Sequence, residues 1–228
     1  MSNRRRKTGV SSQTFKRSPS FAPQRKASDE FTSVVAAIKL LTGSLNPLLQ
    51  SIRRKDTQGW LVKNMFRVLK SDVVNAKGER RVYSGDLHLL QSFAFNKQCS
   101  FTNIFSAPYL VTINRQEGIM HFNVESFVPQ QSLAFPQGST HFKVVIAAVE
   151  ADFRAGSSVH EIVASGFLPV NNEWVNSCEL TAAVTPRSYL PLLFVGGIEF
   201  YQKVNSMFLP LNAKSHHPLN ILKVDVMS

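Results

Sequence analysis

Few residues in this 228-residue chain have types and spacing suited to chemistry. Glu150 and Asp152 stand two apart, so on a strand their carboxylates share one face, as a general acid and base must around a glycosidic bond. No second feature joins them, and a solvated strand face is the alternative. Of six histidines, His88, His121 and His141 have apolar neighbours in strand-like stretches, and His216 and His217 share a polar turn with Asn212 and Lys214. A metal site needs two or three ligands to converge, whereas adjacent residues on an extended chain point apart. Cys99 and Cys178 lack CxxC spacing, which argues against a zinc centre and a disulfide framework and leaves two free thiols. No GxSxG elbow, GxxxxGK[ST] phosphate loop, GxGxxG turn or HExxH helix occurs. The expectation is a non-enzymatic protein with no cofactor, no metal and no small-molecule substrate.

The remaining chemistry is that of cations. Residues 1–27 carry Arg4, Arg5, Arg6, Lys7, Lys16, Arg17, Arg25 and Lys26 and no acid. Residues 28–81 hold ten bases and five acids, and residues 82–228 eight bases and ten acids, so the formal charge of +11 belongs to the front of the chain. With Phe15 and Phe21 as its large apolar groups, the 1–27 segment buries too little surface to offset its ordering entropy and reads as a flexible arm. Such an arm suits neutralisation of nucleic-acid phosphates, a localisation signal or docking on an acidic protein surface. A solvated tail is the bland alternative. Lys63, Arg67 and Lys70 fall at i, i+4 and i+7 and add a basic stripe that could follow phosphates or simply face water. Phe15 and Phe21 interleave with the cations and could stack on unpaired bases. Helix-turn-helix, RNP and zinc-finger patterns are absent, so base readout is not expected.

Three helices and then a series of strands must position these groups. Ser28 reads as an N-cap with Asp29 and Glu30 at the positive end of the helix dipole, followed by an apolar face of Phe31, Val34, Val35, Ile38 and Leu41. Leu45, Leu48, Leu49 and Ile52 form a second amphipathic piece. A third helix over 58–70 carries Trp60, Leu61, Met65, Val68 and Leu69. From Val73 the period becomes two, predicting a hairpin over 73–83 turning at 75–78, a strand over 87–95, a hairpin over 109–125, and strands near 142–153, 159–163, 178–184 and 219–226. The most apolar stretch, 190–211, reads as a strand and its return: Ile198, Phe200 and Gln202 alternate with Glu199, Tyr201 and Lys203, Gly196-Gly197 breaks the run, and Asn205-Ser206 supplies a turn. The predicted class is α+β, mainly β: a basic arm over 1–27, a helical segment over 28–72, and an antiparallel β-sandwich over 73–228, Ig-like or jelly-roll-like.

Several stretches taken in order carry a resemblance: ASDEF (27–31) ahead of a Leu-rich helix, LKSD (69–72) followed by KGERRV (77–82), LLQSFAFN (89–96) and GIEFYQKVNSMFLPLNAKSHHPLNILKV (197–224). Together they are similar to a family of uncharacterised proteins, a domain of unknown function common in Bacteroidota, over most of residues 27–226. The resemblance implies a bacterial or phage-associated origin and supplies no activity or site residue. The expected function is that of a structural or assembly protein, a self-associating homo-oligomer with a capsid-like layout whose arm binds nucleic acid or another polyanion. A monomeric or dimeric, non-specific DNA- or RNA-binding module and a carbohydrate-binding or adhesive sandwich are the alternatives. With no signal peptide and no apolar run long enough to span a membrane, the expected location is the cytoplasm or a phage-like particle.

Overall fold

The computed structural model describes residues 12–50, 52, 54–211 and 214–227. The chain begins with α1 (Ser12–Arg17), a 3-10 turn (Pro19–Phe21), α2 (Ala22–Ser44), α3 (Asn46–Leu49) and α4 (Arg54–Lys70). Two more 3-10 turns (Val82–Ser84, Leu87–Leu90) and α5 (Phe101–Ile104) lead to β1 (Tyr109–Asn114), β2 (Ile119–Val124), α6 (Pro129–Ser132) and β3 (His141–Asp152). Then follow β4 (Ser157–Ala164), β5 (Leu168–Pro169), β6 (Cys178–Ala183), β7 (Leu192–Val204), β8 (Met207–Pro210) and β9 (Leu219–Asp225). The protein is thus α+β and mainly β, with antiparallel pairing between its named strands.

Two sheets form. In the larger, β3 and β7 pair from His141↔Tyr201 to Glu150↔Leu192. The outer side of β3 is taken by β4 and then β5, and that of β7 by β9 and then β8. The smaller sheet runs β1-β2-β6. Side-chain alternation sends the two faces of the large sheet into different cores. Phe142, Val144, Ile146, Ala148, Phe194, Ile198 and Phe200 join Phe101, Phe122 and Leu180 in a cluster shared with the small sheet. Val145, Ala147, Val149, Leu193 and Val195 point the other way, into a cluster with α2, α3 and α4. The middle layer is therefore buried on both sides, which explains the near-continuous apolar runs 144–149 and 192–195.

The strands from 109 onward follow the sequence reading, including the face assignment of Ile198 and Phe200, both buried. The hairpin partners Tyr109↔Val124 through Asn114↔Ile119 are those the alternation predicts, with Gly118 at φ 70 in the turn. Gly196-Gly197 is different from expectation: β7 runs straight through it. A Cβ on Gly196 would stand 2.5 Å from Leu222 Cδ1, and one on Gly197 2.9 Å from the Pro218 carbonyl oxygen. The pair makes room for β9 and its bulge between Phe194 and Val195.

Further expectations are corrected. The described part of the 1–27 segment, expected as a flexible arm, is wound into α1, a 3-10 turn and the start of α2. Residues 73–83 form no hairpin, because the Asp72 carboxylate captures the backbone N–H groups of Val74, Asn75 and Arg81 and the Asn75 side chain, winding the segment into turns. Val73 and Val74 stand in solvent. Residues 87–95 form no strand: Leu87, Leu90 and Phe93 are buried at a spacing of three, the period of a 3-10 turn, and Asp86 caps it through the His88 N–H. Ser28 is no N-cap, since α2 starts at Ala22 with Pro23 in its first turn. Its buried line is Glu30, Val34, Ala37 and Leu41, which leaves Phe31 and Val35 largely outside.

Candidate nucleic-acid interface

The cations named from sequence divide into those the fold consumes and those it leaves outward. On α4, Leu61, Met65, Val68 and Leu69 are fully buried, which turns Lys63, Arg67 and Lys70 away from the sheet. Lys63, Arg67 and Lys70 are exposed, Lys63 with its Nζ 5.7 Å from the Trp60 ring centre and Arg67 donating to Asn64 Oδ1 at 3.2 Å. Lys16 and Arg17 are exposed at the end of α1. Arg25 instead folds back, its Nη1 donating to the carbonyls of Phe15 (2.7 Å) and Ser18 (2.9 Å), so its charge sits on the negative end of α1. Lys26 pairs with Glu79 at 3.0 Å. Phe15 and Phe21 pack on each other at 5.6 Å between ring centres. Arg4, Arg5, Arg6 and Lys7 lie outside the described residues.

The acids of the helical side are turned inward. Glu30, buried on α2, accepts from the Gly78 N–H (2.7 Å) and from Arg80 through Nε (2.8 Å) and Nη2 (3.2 Å). Arg80 holds the Glu30 carboxyl below its ordinary range; burial opposes this, and the Gly78 N–H adds to it. Asp72 is spent on the turn described above: burial pushes its carboxyl up, but the N–H donors of Arg81, Asn75 and Val74 prevail and hold it low. Lys39, Lys63, Lys70 and Lys77 therefore face solvent on this side, against Asp29 as the exposed acid without a hydrogen-bonded partner among the described residues. Across the large sheet the charge reverses. Glu117, Glu125, Glu173 and Glu179 are exposed on the small sheet and its loops. Arg115 there is consumed, donating to Asp225 Oδ2 (2.7 Å) and to the carbonyls of Ser188, Leu190 and Asp225.

Glu150 and Asp152 do share a face of β3, but neither is a free catalytic carboxylate. Glu150 is buried rather than solvated and accepts from the Thr185 N–H (2.9 Å) and Ser188 Oγ (2.8 Å). Asp152 accepts from the N–H groups of Arg154 and Ala155 in the turn to β4. His88 lies in a 3-10 turn, and buried His217 bonds the Leu211 carbonyl. Among the described residues no group of three His, Cys, Asp or Glu could hold a metal ion, and no helix is long and apolar enough to cross a membrane. Both cysteines are free, and burial pushes the Cys99 thiol up to about 11, away from thiolate reactivity.

A second cluster escaped the sequence reading. Beyond the end of the helices, the same face of the large sheet carries His141, Lys143, Tyr201, Lys203 and Phe208, with Phe167 stacked on Phe208 at 3.8 Å. Lys143 Nζ sits 4.0 Å from the Phe167 ring centre. These rings cover one another and replace the missing helical layer. Phe167 is brought here by the two-residue strand β5, too short to leave a periodic signal. Comparison of the chain with protein-family models, curated proteins and solved structures finds no match.

Proposed function

We propose that this protein is a non-enzymatic structural protein that self-associates through its β body and binds nucleic acid or another polyanion through its helical side and basic N-terminal residues. The two packed sheets are read as a sandwich. The observation that carries the proposal is the division of charge across the layers: Lys16, Arg17, Lys39, Lys63 and Lys70 point outward, while Glu30 and Asp72 are tied into the fold. Phosphates meet cations that need no rearrangement. Exposed Val204, Met207 and Leu209, neighbours on one face of the β7–β8 hairpin, offer an apolar surface for self-association.

Full-length protein titrated with a labelled oligonucleotide at rising salt tests the reading. Each neutralised phosphate contributes about 0.7–0.9 to the slope of log affinity against log salt. Lys63→Gln with Lys70→Gln makes the slope shallower by about 1.4–1.8 with no preference among sequences. An unchanged slope removes α4 from the interface. Arg25→Gln, whose charge already serves α1, lowers thermal stability and leaves the slope unchanged.

A further inference from the structure

The outward side of the α2–α4 pair carries an apolar line with no layer over it among the described residues. Phe31 and Val35 are 50% and 43% exposed and lie one turn apart, and Ile38 and Thr42 continue their line at i+7 and i+11. On α4, Phe66 and Val62 are half-buried one turn apart. The two lines run side by side: the Phe31 and Phe66 ring centres are 6.2 Å apart at one end. At the other end Ile38, Thr42, Gln58 and Leu61 border a cavity of about 370 Å³. Exposed lysines flank this groove, Lys39 on α2 and Lys63 and Lys70 on α4.

We infer that this groove receives an amphipathic helix of a partner protein, with apolar anchors at i, i+3, i+4 and i+7 and acidic residues along its flanks. From Phe31 to Thr42 the line is about 16 Å long, three helical turns, which suits such a set of anchors. A bare polyanion satisfies the lysines and leaves Phe31 and Val35 in water, whereas an amphipathic helix covers both. A second copy of this chain is a poor occupant. Its α2 and α4 bring the same cations, and its short helices SQTFKR, NPLL, FTNI and PQQS hold no acid. Lys39, Lys63 and Lys70 are shared with the proposed nucleic-acid interface, and the uncharged anchors Phe31 and Val35 are what separate the two kinds of binding.

The test measures anisotropy of a labelled helical peptide with Leu and Phe at the anchor positions and Glu elsewhere, added to full-length protein. Binding is expected, at least tenfold tighter than that of the same peptide with Lys for Glu. Phe31→Ser with Val35→Ser weakens it at least tenfold while leaving salt-dependent oligonucleotide affinity unchanged. Lys39→Glu with Lys63→Glu, at exposed positions, weakens it similarly. Equal binding of the Glu and Lys peptides, or wild-type binding by the Phe31→Ser, Val35→Ser protein, overturns the inference. So does absence of peptide binding with capture by phosphatidylglycerol vesicles that the serine variants abolish, which assigns the groove to a lipid surface.

Discussion

Phe200→Ala lowers the free energy of unfolding by about 3–5 kcal/mol, the range for emptying a large aromatic site in a packed core. Phe200 is fully buried, sits opposite Phe142 in the β3–β7 ladder, and belongs to the cluster that joins the two sheets. Its own carbonyl accepts from the Leu211 N–H after β8, so the backbone around it is held and collapses poorly onto the void. Denaturant unfolding of the purified variant checks this. A wild-type midpoint would mean that β7 presents its other face to the small sheet. Tyr201→Ala, on that other face and half-buried, provides the internal comparison and costs less.

Glu30→Ala costs about 3 kcal/mol, the low end of the penalty for breaking a buried ion pair. The side chains of Arg80 and Glu30 retain 17% and 11% of their exposure, so water offsets part of the loss. The variant strands the Arg80 guanidinium and the Gly78 N–H together, and the 77–81 loop loses its attachment to α2. This loss depends on pH in a defined direction. The folded carboxyl titrates below its ordinary value of 4.5, so the pair stabilises fully above that value and progressively less as pH falls through the folded one. Chemical unfolding at neutral pH and in acid shows the wild type and the variant converging as the pH drops. A constant difference down to strongly acidic pH would contradict the ion pair as the cause.

What could be read from sequence depended on where each residue's partner lies. The β1–β2 hairpin was legible because one face of each strand is exposed, so period two and the Gly118 turn specify the register together. The stripe Lys63, Arg67 and Lys70 was legible because helical spacing alone sets it. Arg25 and Lys26 were not: their partners are the carbonyls of Phe15 and Ser18 and a glutamate 53 residues away, invisible to local pattern. Glu30 left a signal that composition misses. It continues the buried line of Val34, Ala37 and Leu41, and an acid on an apolar stripe implies a cation from elsewhere. The segment 73–95 misled because Asp72 and the 3-10 turns override β-propensity through hydrogen bonds that residue type does not announce. The same override of pattern by packing put Phe31 and Val35 on the outside of α2, where they border the groove.

Size-exclusion chromatography with light scattering and absorbance at 260 and 280 nm (two wavelengths that separate nucleic acid from protein) reads self-association and bound nucleic acid in one run. Full-length protein purified at low salt is expected to elute as an assembly of many subunits with excess 260 nm absorbance, and high salt to remove the nucleic acid. A monomer of 25.5 kDa without nucleic acid at low salt would contradict both.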